Sequence, residues 1–214
     1  VFPVSFVGVA EANGLIDGLT RAVLRAALHQ TRAWHDAGND LDVAINVSMD
    51  NLAAPGFADL VAGETARAGV APAKVVLEVT ESRLMADLRM PLEVLTRLRL
   101  KRFRLSIDDF GTGHSSLAQL RDLPFDELKI DRSFVHRAHA DETMRAIFGA
   151  SQSLARQLGM EVVAEGVEDR EDWDFLRHSC CHSAQGYFIA RPMPAADLPG
   201  WCAGWEQRRK ELLE

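Results

Sequence analysis

The chain has 214 residues, of which 47% are hydrophobic and 26% are charged, and its formal net charge is −7. This composition is ordinary for a globular protein of α/β-barrel size, and the acidic charge argues against a polymeric nucleic acid as a partner. Residues 1–10 lack the basic region of a signal peptide, and no run approaches the ~18 apolar residues of a membrane helix, so we expect no membrane segment.

Helical patterns alternate with short apolar runs along the chain. After a segment at 10–16 that looks like the end of an earlier unit, helices are predicted over residues 15–37, 55–68, 91–100, 115–120, 142–158 and 170–176. Predicted strands between them end at Asn46, Glu78, Asp108, Lys129, Glu165 and Gln185. The strand spacing is roughly that of a βα repeat, which predicts a parallel sheet curved into an α/β barrel. An eight-fold barrel usually needs about 250 residues, so we expect the first strand to be missing.

The strand ends carry acids, an amide and a lysine. A buried carboxylate must be paired or bound to a metal. Because the carboxyl ends of barrel strands meet at one face, we expect Asn46, Glu78, Asp108 and Glu165 to converge there, with Lys129 beside them. Oxygen ligands without histidine or cysteine favour Mg²⁺ or Mn²⁺.

Asp108 and Asp109 are adjacent, and in a regular strand their side chains would point to opposite faces. Gly111 and Gly113 follow them, and glycine permits sharp turns. We therefore predict that the chain turns after the two acids, so that both reach one site.

Six ordered sequence blocks carry a more specific signal. They are NVS at 46–48, LEVTE at 77–81, DDFGTG at 108–113 followed by SSL at 115–117, KIDRSFV at 129–135, AEGVE at 164–168 and QGY at 185–187. Together they resemble the EAL domain family, metal-dependent phosphodiesterases that open cyclic di-GMP to linear pGpG. The resemblance covers essentially the whole chain.

The resemblance implies a modified (β/α)8 TIM-like barrel that binds two divalent cations, Mg²⁺ or Mn²⁺. Ca²⁺ should bind but inhibit, because a larger ion with flexible coordination positions water poorly. Asn46, Glu78 and Asp108 resemble ligands of one ion. Asp108, Asp109 and Glu165 resemble ligands of the second ion or its close neighbours. The family is usually dimeric, which implies a homodimer.

The remaining site residues follow from the same resemblance. Lys129 would contact the attacking water, and Glu165 would assist in its deprotonation. Glu81 would anchor the loop at 109–115, which governs metal binding and dimer communication in the family. Substrate contacts are implied at Asp131, Glu168 and Gln185.

The chain departs from the family pattern at a few positions. The glutamate of the Glu-Ala-Leu motif should precede Val1, so we interpret residues 1–214 as a single, N-terminally truncated EAL domain of a longer multidomain signalling protein with an upstream regulatory domain or partner. Tyrosine, proline, glycine and aspartate are commoner in the family where this chain has His114, Gly8, Cys180 and His182.

Several other interpretations remain open. The barrel could bind cyclic di-GMP without cutting it and signal to a protein partner, or, on the acids alone, be a lyase or an enolase-type enzyme. Lys129 could be a structural ion pair, and Glu81 and Asp131 could be simple hydrogen-bond acceptors at strand ends. Trp201 and Trp205, with Leu212 and Leu213, are expected to pack the last helix onto the barrel, although a partner surface is the alternative.

The cysteines predict the compartment. Cys180, Cys181 and Cys202 do not form a disulfide framework, which favours reduced thiols and a cytoplasmic protein. The cluster of histidines and cysteines at 178–182 is spaced too tightly for closed zinc ligation, so we disfavour a zinc site there.

Overall fold

A computed structural model describes residues 5–81, 89–113, 120–179 and 181–213. These residues form six strands: β1 (Val43–Asn46), β2 (Val75–Thr80), β3 (Arg104–Phe110), β4 (Glu127–Ile130), β5 (Glu161–Ala164) and β6 (Ser183–Ala184). Each strand runs parallel to its predecessor, and their order in the sheet follows the chain. The sheet curls into a half-barrel, which confirms the predicted α/β barrel class.

Helices connect the strands. They are α1 (Val7–Ala12), α2 (Ile16–Asp36), α3 (Met49–Leu52), α4 (Phe57–Ala68), α5 (Arg89–Leu100), α6 (Arg132–Val135), α7 (Glu142–Gln157), α8 (Arg170–Arg177) and α9 (Leu198–Leu213). Five of the six predicted helices are confirmed to within two residues at each end. Of the sixth, predicted at 115–120, residues 115–119 lie outside the described residues, as do His114 and Cys180. The segment at 10–16 is instead the end of α1, a turn at Gly14 and the start of α2.

Three strands end later than the sequence predicted. Glu78 and Asp108 each lie two residues before the end of their strands, and Lys129 lies one residue before the end of β4. Pairing continues because each extension faces a neighbour, with Thr80 opposite Asp108 and Phe110 opposite Ile130. The three charged groups are therefore held by strand backbone rather than by loops.

Apolar side chains fill both faces of the central strands. Leu77, Val79, Leu105, Ile107 and Leu128 are all 1% exposed or less. Burial on both faces is typical of parallel sheets covered by helices. Polar groups that project from these strands are consequently placed in a rigid, largely dry environment.

The tryptophans of the last helix pack as the sequence predicted and Leu212 is buried, whereas Leu213 is 50% exposed. The indole of Trp205 in α9 meets that of Trp173 in α8 edge to face, with ring centroids 5.8 Å apart, and Trp201 stacks on Trp205. Such aromatic pairs add stabilisation beyond the apolar area that they bury. Among the described residues, no helix is both long enough and apolar enough to cross a membrane.

Candidate active site

Lys129 lies at the centre of a buried charge cluster. Its Nζ is 2.8 Å from Oε1 of Glu78, 3.0 Å from Oδ1 of Asp108 and 2.7 Å from Oε1 of Glu165. These side chains come from β2, β3, β4 and the residue after β5, and parallel pairing brings them to one end of the sheet. The structure thus assembles four of the residues singled out in the sequence.

Burial shapes the protonation of this cluster. It raises the pKa of the Glu78 and Glu165 carboxyls above their ordinary values, against the lowering effect of Lys129. Burial alone would lower the pKa of the Lys129 ammonium, but Glu78 and Glu165 hold that pKa above its ordinary value. Lys129 is therefore a charged hydrogen-bond donor at neutral pH, surrounded by carboxylates that favour further positive charge.

Asp109 reaches the same site through a break in the strand. Pairing between β3 and β4 shifts register between Ile107 and Phe110, and Asp109 has a left-handed backbone with φ of 56°. A bulge of this kind changes the direction of a side chain in a strand. The predicted turn is therefore at Asp109 itself, and not only at the glycines that follow.

The carboxylates suit hard cations. Ligand atoms of Asp108, Asp109 and Glu165 all lie within 4.8 Å of one another. With Glu78 the cluster has four carboxylates, of which three contact the Lys129 ammonium and the fourth, that of Asp109, lies beside them. Counting these described residues alone, the cluster has three more negative than positive charges when all are ionised. An all-oxygen donor set with this excess charge fits Mg²⁺ or Mn²⁺.

Asn46 lies at the edge of this cluster. It ends β1 opposite Glu78, and its side chain is exposed. Together with Thr80 and Asp109 it lines a cleft of about 710 Å³. The amide is thus available as a further oxygen ligand beside the acids.

Glu81 binds the loop that follows β3. Its Oε2 accepts hydrogen bonds from the backbone N–H groups of Gly111 at 2.8 Å and Gly113 at 3.3 Å. The carboxylate is 1% exposed, and a Cβ on Gly113 would come within 3.2 Å of it. A buried carboxylate that accepts two backbone donors fixes the loop immediately after Asp108 and Asp109.

The three predicted substrate residues lie in different settings. Asp131 caps α6 by accepting from the backbone N–H of Ser133 at 2.9 Å, which is the simple acceptor role left open from the sequence. Gln185 follows β6, and its side chain is exposed. Glu168 pairs through Oε1 with Nη2 of Arg132 at 2.7 Å.

Sequence reasoning missed a second cluster beside Glu168. It contains His136 and Asp172, whose Nδ1 and Oδ2 atoms are 2.9 Å apart, together with Asp169. The oxygens of Asp172 already accept from two backbone N–H groups as well as from His136, which favours a structural hub over a metal site. In the sequence, Asp172 was indistinguishable from an ordinary acid in the first turn of a helix.

The described residues of the segment at 178–182 argue against a zinc site there. Nδ1 of His182 accepts from the backbone N–H of Val162 at 2.9 Å, and Sγ of Cys181 is 3.0 Å from the carbonyl of Ser183. Burial also raises the pKa of the Cys181 thiol, which disfavours the thiolate that zinc requires.

Comparison with known proteins places this geometry in a family. The model of the EAL domain family matches residues 1–192. The chain is 45% identical over 197 residues to the cyclic di-GMP phosphodiesterase NbdA of Pseudomonas aeruginosa, covering 92% of this chain and 25% of the relative. It is 41% identical over 199 residues to the bifunctional diguanylate cyclase/cyclic di-GMP phosphodiesterase MucR of the same species, and this match covers 92% of this chain and 29% of MucR. The chain therefore spans about a quarter of the length of these curated relatives.

Solved structures agree with the sequence matches. The PaMucR phosphodiesterase in complex with c-di-GMP superposes with a TM-score of 0.87 at 41% identity, covering 92% of this chain and 81% of that chain. A manganese/cy-diGMP complex of Klebsiella pneumoniae BlrP1 gives a TM-score of 0.74 at 30% identity, covering 81% and 44%. A calcium/cy-diGMP complex of BlrP1 matches equally well.

Proposed function

The chain belongs to the EAL domain family, and on this basis we propose that it is a metal-dependent phosphodiesterase that hydrolyses cyclic di-GMP to linear pGpG. One observation carries the proposal. The buried Lys129 ammonium contacts three carboxylates at the end of the parallel sheet, with Asp109 alongside. Burying this set of carboxylates costs free energy, and a receptor that does not cleave its ligand would gain nothing from them.

The residues would divide the chemistry between them. Glu78, Asp108, Asp109 and Glu165, with the amide of Asn46, would hold two divalent cations. Such ions, when bound, lower the pKa of water and neutralise charge on phosphoryl oxygens.

Lys129 and Glu165 would act on the attacking water. The Lys129 ammonium has three N–H donors, and one of them, released from its carboxylate, would orient the water oxygen, while a carboxylate oxygen of Glu165 would accept the proton of that water. The water oxygen bonds to phosphorus as the bond to one ribose 3′-oxygen breaks. That oxygen takes a proton from the solvent, which balances the proton that Glu165 accepted, and linear pGpG results.

The wider setting belongs to the same proposal. We place the domain in a longer cytoplasmic signalling protein that forms a homodimer and responds to an upstream regulatory domain or partner. Glu168, Gln185 and Asp131 are the proposed substrate contacts. The family resemblance is the basis for these points, and the c-di-GMP bound to PaMucR, a similar phosphodiesterase, supports cyclic di-GMP as the ligand.

Product analysis tests the proposal directly. Incubation with cyclic di-GMP and Mg²⁺ or Mn²⁺ should yield pGpG, measured by liquid chromatography. Ca²⁺ should support binding but little turnover, because its larger and more flexible coordination positions water poorly. Binding without cleavage in Mn²⁺ would favour the receptor interpretation, and undiminished turnover in Ca²⁺ would contradict the proposed role of the cations.

Glu81→Ala should weaken cation binding rather than remove it. The loop from Gly111 to Gly113 would lose both hydrogen bonds from its backbone to the carboxylate, so Asp108 and Asp109 would be less well fixed. We expect a loss of roughly 10- to 100-fold in apparent Mn²⁺ affinity, the range for groups that orient metal ligands. Titration of turnover against Mn²⁺ measures it.

The matched control is Glu64→Ala, which removes another buried glutamate. Glu64 lies on α4 and pairs with Arg25 of α2 and with Arg67 of its own helix. It should leave the Mn²⁺ dependence unchanged. An E81A variant with unaltered Mn²⁺ dependence would show that Glu81 is a structural acceptor only.

A further inference from the structure

Asp172 connects two loops of the barrel rim. Its side chain is fully buried in the first turn of α8, where its own N–H donates to Oδ1 of Asp169 at 2.8 Å. Oδ1 of Asp172 accepts from the backbone N–H of Arg137 at 2.9 Å, and Oδ2 accepts from that of Glu168 at 3.1 Å. One carboxylate thus joins the segment after β4 to the segment after β5.

This connection lies beyond the end of strand pairing. The register of β4 and β5 ends at Ile130 and Ala164, and the N–H of Glu165 then donates to the carbonyl of Ile130 at 3.0 Å. Farther along, the Asp172 carboxylate takes over by binding both chains. Hydrogen bonds to a buried charge are stronger than those between neutral groups, so the relative position of the two segments is well defined.

His136 lies between Asp172 and the side chain of Glu168. Its Nδ1 is 2.9 Å from Oδ2 of Asp172, and its Nε2 is 3.9 Å from Oε2 of Glu168. The other oxygen of Glu168 pairs with Arg132. Arg132 is 60% exposed, and an exposed ion pair orients a carboxylate weakly on its own. The buried Asp172 supplies the fixed point that the exposed pair lacks.

Close packing leaves these groups little freedom. Gly166 has φ of 72°, and a Cβ there would lie 2.2 Å from Cγ of Arg132. A Cβ on Gly186, next to Gln185, would lie 2.2 Å from the carbonyl oxygen of Val167. The two glycines let the rim segments after β4, β5 and β6 come into contact around Glu168.

We propose that Asp172 and His136 are positioning residues that hold the Glu168 carboxylate, and Arg132 with it, in the orientation that binds cyclic di-GMP. The inference rests on the proposed function and adds to it the elements that shape the substrate rim. Asp172 acts through the backbone of Glu168 and through His136, and His136 acts on the Glu168 side chain. Neither residue needs to contact the substrate.

Steady-state kinetics on cyclic di-GMP with Mn²⁺ tests the proposal. Asp172→Asn and His136→Ala should each raise KM roughly tenfold and leave kcat within about twofold, because they disturb binding and not the acids around Lys129. His136→Asn keeps a donor for Asp172 but has no group in the place of Nε2, which faces Glu168, so its KM should rise like that of His136→Ala. Asp174→Asn, on the same helix but paired with Arg170, is the control and should change neither constant.

A double mutant separates positioning from a general structural role. If His136 acts through Glu168, adding His136→Ala to Glu168→Gln should change KM less than about twofold further. Dissociation constants for cyclic di-GMP measured with Ca²⁺ should follow the same pattern. If Asp172→Asn lowers Tm strongly, the positioning role is judged from the variants of His136, which is only partly buried.

The outcomes distinguish the two proposals. A wild-type protein that neither hydrolyses nor binds cyclic di-GMP would remove the proposed function itself. A wild-type protein that does either, with variants that leave KM and the dissociation constant unchanged or whose effects add fully to that of Glu168→Gln, would overturn the positioning role alone.

Discussion

Asp108→Asn is expected to lower turnover of cyclic di-GMP by about a thousandfold or more, a loss of roughly 4 kcal/mol of transition-state stabilisation. Asp108 is the acid that the proposal assigns to both cations, and its Oδ1 also accepts from Lys129 at 3.0 Å. The amide keeps the shape of the side chain but removes its charge and one ligand oxygen. Glu78→Gln should act in the same direction, and product formation in Mn²⁺ measures both.

These variants should lose activity without losing thermal stability. Without divalent cations, the cluster holds more negative charge than Lys129 can offset, so removing one charge should leave Tm in EDTA unchanged or raise it. The rise in Tm on adding Mn²⁺ should shrink, because a protein gains stability from a ligand only as far as it binds that ligand.

Asp42→Asn is the matched control for Asp108→Asn. Asp42 pairs with Arg104 and Lys74 near the start of β1, at the opposite end of the sheet. This variant should keep its turnover within about twofold, since surface pairs contribute little. Normal turnover in Asp108→Asn, or its failure to fold, would contradict the assignment of Asp108 to a cation site.

Strand periodicity predicted the assembly of the acids because a parallel sheet leaves few alternatives. Once Glu78, Asp108 and Glu165 are assigned to strands of one parallel barrel sheet, the carboxyl ends of those strands must meet. The sequence could not indicate how deep each residue lies. Pairing of Thr80 with Asp108 places Glu78 and Asp108 inside their strands, and this depends on the register between the two strands.

Other features depend on contacts that no local pattern encodes. Asp109 takes a left-handed backbone, which is uncommon outside glycine, because a bulge in β3 compensates for the shift in pairing with β4. Asp172 bonds to His136 and Arg137, which precede it by 36 and 35 residues. Its spacing resembles that of any acid in the first turn of a helix, so only the fold distinguishes it.

Lys129→Met is expected to reduce turnover at least about a hundredfold, since the variant loses the donor that orients the attacking water. In contrast to Asp108→Asn, it should also lower stability in EDTA. Removing one partner from a buried ion cluster typically costs about 3–5 kcal/mol. Here it leaves the carboxylates of Glu78, Asp108 and Glu165 without their ammonium. Denaturant unfolding in EDTA and in Mn²⁺ measures the effect, and Mn²⁺ should recover more stability in the variant than in the wild type.

The stability that Lys129→Met loses relative to the wild type should depend on pH, in a way that follows from the direction of the carboxyl pKa shifts. Burial raises the pKa of Glu78 and Glu165 in the folded protein, so their ionisation costs stability as pH rises through those values. Without Lys129 this cost grows, and the stability difference from the wild type should shrink as pH falls and the carboxyls protonate.

The control is Lys74→Met, which breaks surface pairs with Asp40 and Asp42. It should lose little stability in EDTA, and Mn²⁺ should not restore that loss. A Lys129→Met protein as stable in EDTA as the wild type at neutral pH would mean that the acids are not ionised together, and the charge argument for two cations would fail with it.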